Sequence, residues 1–139
     1  MATVIFYNVG AYNIANQALN WTSATIKARP VLTAATPNID ATVMTGEGTS
    51  GYDVTLTNCT ITNDTTNDRT VFDSDDFTWT AVAAIGEIDR YVLFKFVTND
   101  ADSIPIATVA LATPITPGAF NIAVTVASTG HFYTKNTIV

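Results

Sequence analysis

Two features of the sequence have side chains that could do chemistry, a lone histidine and a short acidic run. His131 is the only histidine, and no serine or cysteine motif of a nucleophilic enzyme accompanies it. We therefore predict a surface or interface histidine rather than a catalytic one. Phosphate-binding and dinucleotide-binding glycine motifs are missing, as are cysteine and histidine clusters with zinc spacing. The sequence indicates a protein that is not an enzyme and uses no cofactor.

The acidic run Asp73-Ser74-Asp75-Asp76 could supply several hard oxygen ligands to Ca²⁺. Asp73, Asp75 and Asp76 are therefore the candidate metal ligands. The run lacks the glycine and the distal glutamate of an EF-hand loop. We favour a tight turn whose Asp side chains accept hydrogen bonds from nearby backbone amides, and we predict no tightly bound metal.

The composition is polar but contains few charges. Hydrophobic residues make up 47% of the chain and charged residues only 13%, with a net charge of -6. The six Lys and Arg residues are scattered, so no basic patch is available for nucleic acid. Cys59 has no cysteine partner, and we expect it to be a buried small apolar residue. The first residues lack the pattern of a secretory signal, so we expect synthesis and folding in the cytosol.

The residues that must position these groups are mostly Thr, Val and Ile, which favour strands. We predict one domain over residues 1–139, an antiparallel β-sandwich or small barrel. A short helix is predicted over residues 12–19, a β-hairpin over residues 52–72, and a central strand over residues 91–97. Pro30 implies an edge or a bulge, because it lacks an amide hydrogen. The expected core comprises Leu56, Phe72, Phe77, Trp79, Leu93, Phe94, Ile106, Val109 and Phe120.

Three segments are the predicted contacts with a partner. Residues 36–51 are rich in glycine and show little periodicity, so we predict a long surface loop, a type that is often functional. The N-terminal residues 3–8 and a C-terminal tail at 130–139 are the other two. The candidate contact residues are Thr3, Ile5, Tyr7, Gly46, Gly48, Gly51, His131, Phe132 and Tyr133.

Several segments, in order and spacing, resemble a family of small structural proteins from the virions of tailed bacteriophages. The most specific block spans residues 67–79, from Asn67-Asp68-Arg69 to Phe77-Thr78-Trp79. Other matching segments are residues 25–27, 48–52, 62–69, 91–95, 104–107 and 118–122. The chain departs from the pattern after Lys95, where Phe96-Val97 replaces a polar turn, and in the tail at 130–139. The resemblance implies a virion setting and no catalytic residues.

The virion setting leads to a specific expectation of function. We expect a capsid decoration protein, made in the host cytoplasm, that binds the major capsid protein at capsomer junctions on the outside of the head. Contacts with neither nucleic acid nor membrane are expected. A homotrimer is expected, because threefold junctions are natural docking sites and because closed symmetry would cover the edge near Pro30. The alternative is a tail, neck or head-fibre component that binds host glycans.

Overall fold

The computed structural model describes residues 3–135 as a β-rich fold. Strands account for 43% of the residues and helix for 6%, so the all-β prediction is confirmed. The strand pairs in this part of the chain are antiparallel. The elements in chain order are β1 (Val4–Phe6), α1 (Asn8–Ala15), β2 (Ile26–Leu32), β3 (Val54–Thr55), β4 (Thr60–Asp64), β5 (Arg69–Asp73), β6 (Phe77–Val82), β7 (Ile88–Lys95), β8 (Ile104–Ile115), β9 (Phe120–Val124) and β10 (Phe132–Lys135).

The strands form three sheets within the described residues. Sheet A has the order β1-β8-β7-β2-β3, sheet B has the order β10-β5-β4, and sheet C consists of β6 and β9. Phe6 of β1 and Phe132 of β10 make an edge-to-face contact with ring centroids 5.1 Å apart, so one edge of sheet A adjoins sheet B. The predicted hairpin turn joins β4 to β5, so the hairpin spans residues 60–73 rather than the predicted 52–72. Residues 54–55 form β3, which pairs with β2 in sheet A. The predicted central strand is β7, which pairs with β2 and β8.

The centre of sheet A is buried on both faces. Leu93 of β7 packs in the main core, together with Phe72 of sheet B and Trp79 of sheet C. Its neighbours Val92 and Phe94 pack in a second cluster on the opposite face, because alternate residues of a strand face opposite sides. The apolar sequence of β7 predicts this burial on both sides.

Phe120 is the one predicted core residue that the structure contradicts, since its side chain is 48% exposed while the others are buried. Alternation along β9 would turn it inward with Ile122. The register between β6 and β9, however, shifts between Trp79 and Val82, next to Ala81 with its positive φ of 48°. This bulge turns the end of β9 away from the core, a change that alternation in the sequence does not report.

The helix lies earlier in the chain than the predicted residues 12–19. It begins at Asn8, ends at Ala15, and is followed by Gln17 with a positive φ of 62°. Gly10 is the reason that α1 can pack closely on β8, because a Cβ there would lie 2.3 Å from the Ile106 carbonyl oxygen. A close backbone approach of this kind has no signature in helical periodicity.

Strand β2 is not an edge strand, although Pro30 does face a side where no strand pairs with it. β3 pairs only with Lys27 and Ala28, so it ends before Pro30. The Pro30 carbonyl accepts a hydrogen bond from the Thr49 amide at 2.8 Å. Segment 36–51 therefore covers this local edge within the same chain.

Candidate partner-binding surfaces

His131 is buried, which corrects the prediction of a surface histidine. Its side chain is 2% exposed, and its amide donates to the Phe72 carbonyl at 2.9 Å. Nδ1 lies 2.8 Å from the Tyr91 hydroxyl, and Nε2 lies 2.8 Å from Ser74 Oγ. Burial lowers the pKa of His131 to about 4. The imidazole is therefore neutral at neutral pH.

One arrangement of protons gives every donor of this cluster an acceptor. Ser74 Oγ donates to the backbone oxygen of Asp75 at 2.9 Å, so it accepts from Nε2–H of His131. Nδ1 then accepts from the hydroxyl of Tyr91, whose pKa is raised by burial and by the charge of Asp73. Serine and histidine lie at the distance of a nucleophile and its base, but here the serine proton goes to a carbonyl. The cluster thus ties the residue before β10 to β7 and to the segment after β5.

Two of the three predicted contact segments lie side by side. Thr3, Val4 and Phe6 form one wall of a groove of about 340 Å³, and residues 129–133 form the other wall. Thr3 is exposed, and Tyr133 is half-buried. The groove between these two predicted contact segments is therefore the candidate partner-binding surface.

The backbone of β1 leaves hydrogen-bonding groups free beside this groove. Thr3 and Tyr7 bond to β8 through their backbones. Neighbouring residues of an antiparallel strand direct their N–H and C=O groups to opposite sides, so those of Val4 and Phe6 are directed away from β8. Within the described residues, no strand pairs with this side of β1. Val4 and Phe6 therefore have no backbone partner on this side among residues 3–135.

Some of the predicted contact residues in these segments are not surface residues. Tyr7 is 1% exposed and Phe132 is 3% exposed, and the Phe132 ring stacks on Phe72 with centroids 4.6 Å apart. Both side chains stabilise the fold instead. Ile5 is 44% exposed and is not among the residues lining the groove. Residues 136–139 of the predicted tail lie outside the described residues.

Segment 36–51 contains no helix or strand and is largely exposed, but it is anchored to the rest of the fold. Met44 is fully buried in the second cluster of sheet A. A Cβ at Gly48 would lie 3.0 Å from the Arg29 side chain, so this glycine permits close packing. Gly46 and Gly51 are exposed, with positive φ values of 84° and 95°, and neither lines the groove. The structure does not bring these glycines together with the other candidate residues.

Arg29 holds this segment in place, and its side chain is only 3% exposed. Its guanidinium donates to both oxygens of Asp53 at 2.6 and 2.8 Å, to both oxygens of Asp100 at 2.9 and 2.7 Å, and to the Glu47 carbonyl at 3.1 Å. Burial alone would lower the pKa of Arg29, but the hydrogen bonds and charges of the two aspartates raise it. These bidentate contacts use the planar geometry that distinguishes Arg from Lys.

A second buried contact joins segment 36–51 to the N-terminus. The Tyr7 hydroxyl donates to Glu47 Oε2 at 2.5 Å, and both side chains are buried. Burial, followed by the hydrogen bond to Glu47, raises the pKa of Tyr7. The Asn8 amide donates to the Ile39 carbonyl at 2.9 Å. Tyr7 therefore acts as an anchor for the segment rather than as a partner contact.

The acidic run connects β5 to β6 without the predicted tight turn, and its carboxylates accept hydrogen bonds mostly from residues distant in the chain. Among the described residues, no group of three or more His, Cys, Asp or Glu side chains could hold a metal ion. The absence of a tightly bound metal stays a prediction. The contacts are from the Ser74 amide to Asp73, from the Thr57 hydroxyl and the Asn58 side chain to Asp75, and from the Val126 amide to Asp76.

Cys59 packs against the main core but is half-buried, where a buried side chain was predicted. Burial, and then the charge of Asp75, raises the pKa of its thiol. A raised pKa disfavours the thiolate, which is the nucleophilic form.

Strand β4 is a surface that the sequence reasoning missed. Four of its five residues are exposed, on both faces of the strand. The available signal was composition, because Ile61 is the only large apolar residue among residues 60–64. A strand with no apolar face has little to bury.

Comparisons with known proteins do not assign a family. No family model, no curated protein and no solved structure matches the chain. Over residues 3–135, no helix is long and apolar enough to cross a bilayer.

Proposed function

We propose that this protein is a non-catalytic structural component of a tailed-phage virion, and specifically a capsid decoration protein. The sequence resemblance, strongest over residues 67–79, supports the virion setting. The observation that carries the proposal is the groove between β1 and β10. It combines a strand edge at Val4 and Phe6 that is unpaired among residues 3–135 with a concave wall formed by residues 129–133. An extended segment of a coat protein can add to such an edge through backbone hydrogen bonds.

The chemistry of the groove favours an uncharged partner segment. None of its lining residues is charged at neutral pH, since its histidine is neutral when buried. A partly exposed aromatic residue lies in each wall, Phe6 on one side and Tyr133 on the other. Contact surfaces of proteins are often rich in aromatic residues and poor in charge at their centres.

The proposed mechanism is non-covalent and multivalent. Each copy binds the major capsid protein on the outside of the head, at junctions between capsomers. A single contact between one small domain and the shell is weak. Contacts that linked sites make at the same time must break together, so they hold the protein more tightly. The result is resistance of the shell to expansion.

We also propose that three copies act around each threefold or quasi-threefold junction. An uncovered strand edge near Pro30 was one reason to expect a homotrimer. That reason does not hold, because Thr49 covers this edge within the same chain. The symmetry of an icosahedral shell is the remaining support for three copies at each junction.

A binding experiment tests the proposal. Purified protein is mixed with intact heads of the phage that carries the gene, with unassembled coat protein, with tails and with host cells, and each mixture is sedimented. We expect saturable, stoichiometric binding to heads alone. Thr3→Glu introduces a charge at the groove and should weaken binding by tenfold or more, on the order of 1.4 kcal/mol. Thr116→Glu, at an exposed threonine outside the groove, should bind like the unmodified protein.

Other outcomes would overturn the proposal. Binding to tails or to host cells, without binding to heads, would favour the alternative of a tail or fibre component. Exposed Tyr12, with 66% of its surface accessible, would then be the first residue to test for glycan contact. Equal binding by Thr3→Glu and Thr116→Glu would exclude the groove as the contact surface.

A further inference from the structure

Strand β4 is an edge strand that is exposed on both faces. Residues 60–63 are exposed, and the Ile61 side chain is 45% exposed. Sheet B ends at β4, and among the described residues no strand pairs with its outer side. An open edge of this kind is a template for pairing with another chain.

The pairing with β5 determines which backbone groups this edge offers. The Phe72 carbonyl accepts a hydrogen bond from the backbone N–H of the residue before β10, on the side of β5 that faces β10. Neighbouring residues point the opposite way, so Val71 bonds towards β4, where its partner is Thr62. By the same alternation, Ile61 and Asn63 direct their N–H and C=O groups outward.

We infer that the outer edge of β4 pairs with β4 of a second copy, antiparallel, about a two-fold axis at Thr62. Ile61 then lies opposite Asn63 of the second copy, with the backbone groups of both directed at each other. An Ile61–Asn63 pair of this kind exchanges two backbone hydrogen bonds, and the two-fold axis places one such pair on each side of Thr62. The two copies of sheet B become one continuous sheet.

Charges and side chains are compatible with this register. Thr60 lies opposite Asp64 of the second copy, so no two like charges face each other. Asp64 is also paired within its own chain, since Arg69 Nε lies 2.7 Å from Asp64 Oδ2. Thr62 lies opposite Thr62 of the second copy, a favourable cross-strand pair. The strand is therefore complementary to itself, which is the argument for a second copy as the occupant.

The other strand edges are less suited to this role. β3 has two residues and β1 has three, and β1 adjoins β10 through the Phe6–Phe132 contact. β9 has the same five-residue length as β4, but it buries Ile122 and Val124 on one face. A strand with both faces exposed can be extended by a second copy without displacing any packed side chain.

The inference does not depend on the proposed capsid role. One strand edge buries much less than the roughly 1,200 Å² of a stable interface, so we expect weak dimers in solution. Dimerisation should strengthen wherever copies are held close together on a surface.

The test is sedimentation equilibrium of the full chain, without phage particles, from about 10 µM to about 1 mM. The mass should rise towards that of a dimer. Thr62→Lys and Thr62→Glu each place like charges opposite each other at the axis, and each variant alone should stay monomeric. An equimolar mixture of the two should dimerise at least about tenfold more tightly than either variant alone, because opposite charges then meet.

A backbone variant makes the test independent of charge. Ile61→Pro removes an outward N–H but no bond to β5, and edge positions of this kind tolerate proline. It should abolish dimers, while Ile61→Val should preserve them, and circular dichroism verifies that both fold. A monomeric wild type, a trimer, or no rescue in the Lys and Glu mixture would overturn the inference. The self-pairing of β4 and the proposed capsid role can fail separately. If the monomeric Thr62→Lys variant still binds heads, the capsid role does not require the β4 dimer.

Discussion

Segment 36–51 and strand β4 differ in how they are attached to the rest of the molecule. The segment has the glycines and low periodicity of a free loop, yet Met44 is fully buried and Glu47 is 7% exposed. Strand β4 belongs to a regular hairpin, yet residues 60–63 are exposed on both faces. Irregular backbone therefore contributes buried side chains to this fold, and a regular strand can lie outside its core.

The difference comes from the contacts that each region makes outside itself. Segment 36–51 is held by two buried side chains from elsewhere in the chain, Arg29 and Tyr7. Strand β4 is held mainly by its ladder with β5. Segment 36–51 thus depends on partners distant in the chain, whereas β4 depends on the neighbouring strand of its own hairpin.

The largest effect is expected from Arg29→Met, which keeps the aliphatic volume but removes the charge. Asp53 and Asp100 would lose their bidentate partner, and breaking a buried ion pair costs about 3 kcal/mol or more. We expect the lower end, because the Asp100 side chain is 38% exposed and water can solvate it. Denaturant unfolding measures the loss.

The matched control for this variant is Arg90→Met. Arg90 pairs with Asp89 at 2.7 Å, but its side chain is 25% exposed. A partly exposed pair should contribute about 1 kcal/mol or less. Hydrogen exchange should accelerate at the Thr49 amide in Arg29→Met and not in Arg90→Met. Equal losses in both variants would mean that Arg29 does not anchor the segment.

The next effect concerns His131, a polar residue that is also buried against expectation. Its pKa lies near 4 in the folded chain and near 6.5 when unfolded, because burial disfavours the charged form. Between these values the unfolded chain binds more protons, so stability should fall as the pH falls from about 6.5 to about 4. The total loss should be on the order of 3 kcal/mol, at about 1.4 kcal/mol for each pKa unit.

Because the chain has one histidine, a single variant isolates this effect. His131→Gln should be less stable at pH 7 but should lose the slope between pH 6.5 and about 4.5. Hydrogen bonds from Arg90 and Arg29 hold the pKa values of Asp89 and Asp100 below their usual range. Protonation of these two carboxyl groups therefore changes the stability mainly at lower pH. An unchanged slope in His131→Gln would show that other groups cause it.

A smaller effect is expected from Tyr7→Phe, which removes one hydroxyl from the contact with Glu47. The Glu47 carboxylate would lose a buried donor, which costs about 1–3 kcal/mol. The Asn38 amide, at 3.3 Å from Glu47 Oε2, would retain part of the interaction. Tyr133→Phe serves as the control, because Tyr133 is half-buried and no hydrogen bond of its hydroxyl occurs among the described residues. Similar losses in both would contradict the anchoring role of Tyr7.

Local sequence patterns predicted those parts of the fold that depend on local alternation. The β4–β5 turn, the buried pair Phe77 and Trp79, and the central position of β7 all follow from apolar periodicity or turn residues. These features need only neighbours within a strand or a hairpin. The all-β class follows from the same periodicity.

Patterns could not predict which polar groups become partners across the fold. Arg29 meets Asp100 from 71 positions away, and His131 meets Ser74 from 57 positions away. Nothing near either residue in the sequence indicates the pairing. Candidate contact residues failed for the same reason, since Tyr7 became buried through a contact with Glu47, 40 positions distant.

The smallest expected effect is that of Ile61→Ala, a change that would be severe in the core. Ile61 is 45% exposed on β4, so truncation creates no enclosed cavity and should change stability by about 0.5 kcal/mol or less. The same substitution at Ile26, which is 1% exposed, should cost about 2–5 kcal/mol. Unfolding should be measured at a few micromolar (~5 µM), where self-pairing of β4 is negligible. A loss above about 1 kcal/mol in Ile61→Ala would mean that β4 is packed in solution, and therefore that its edge is already covered.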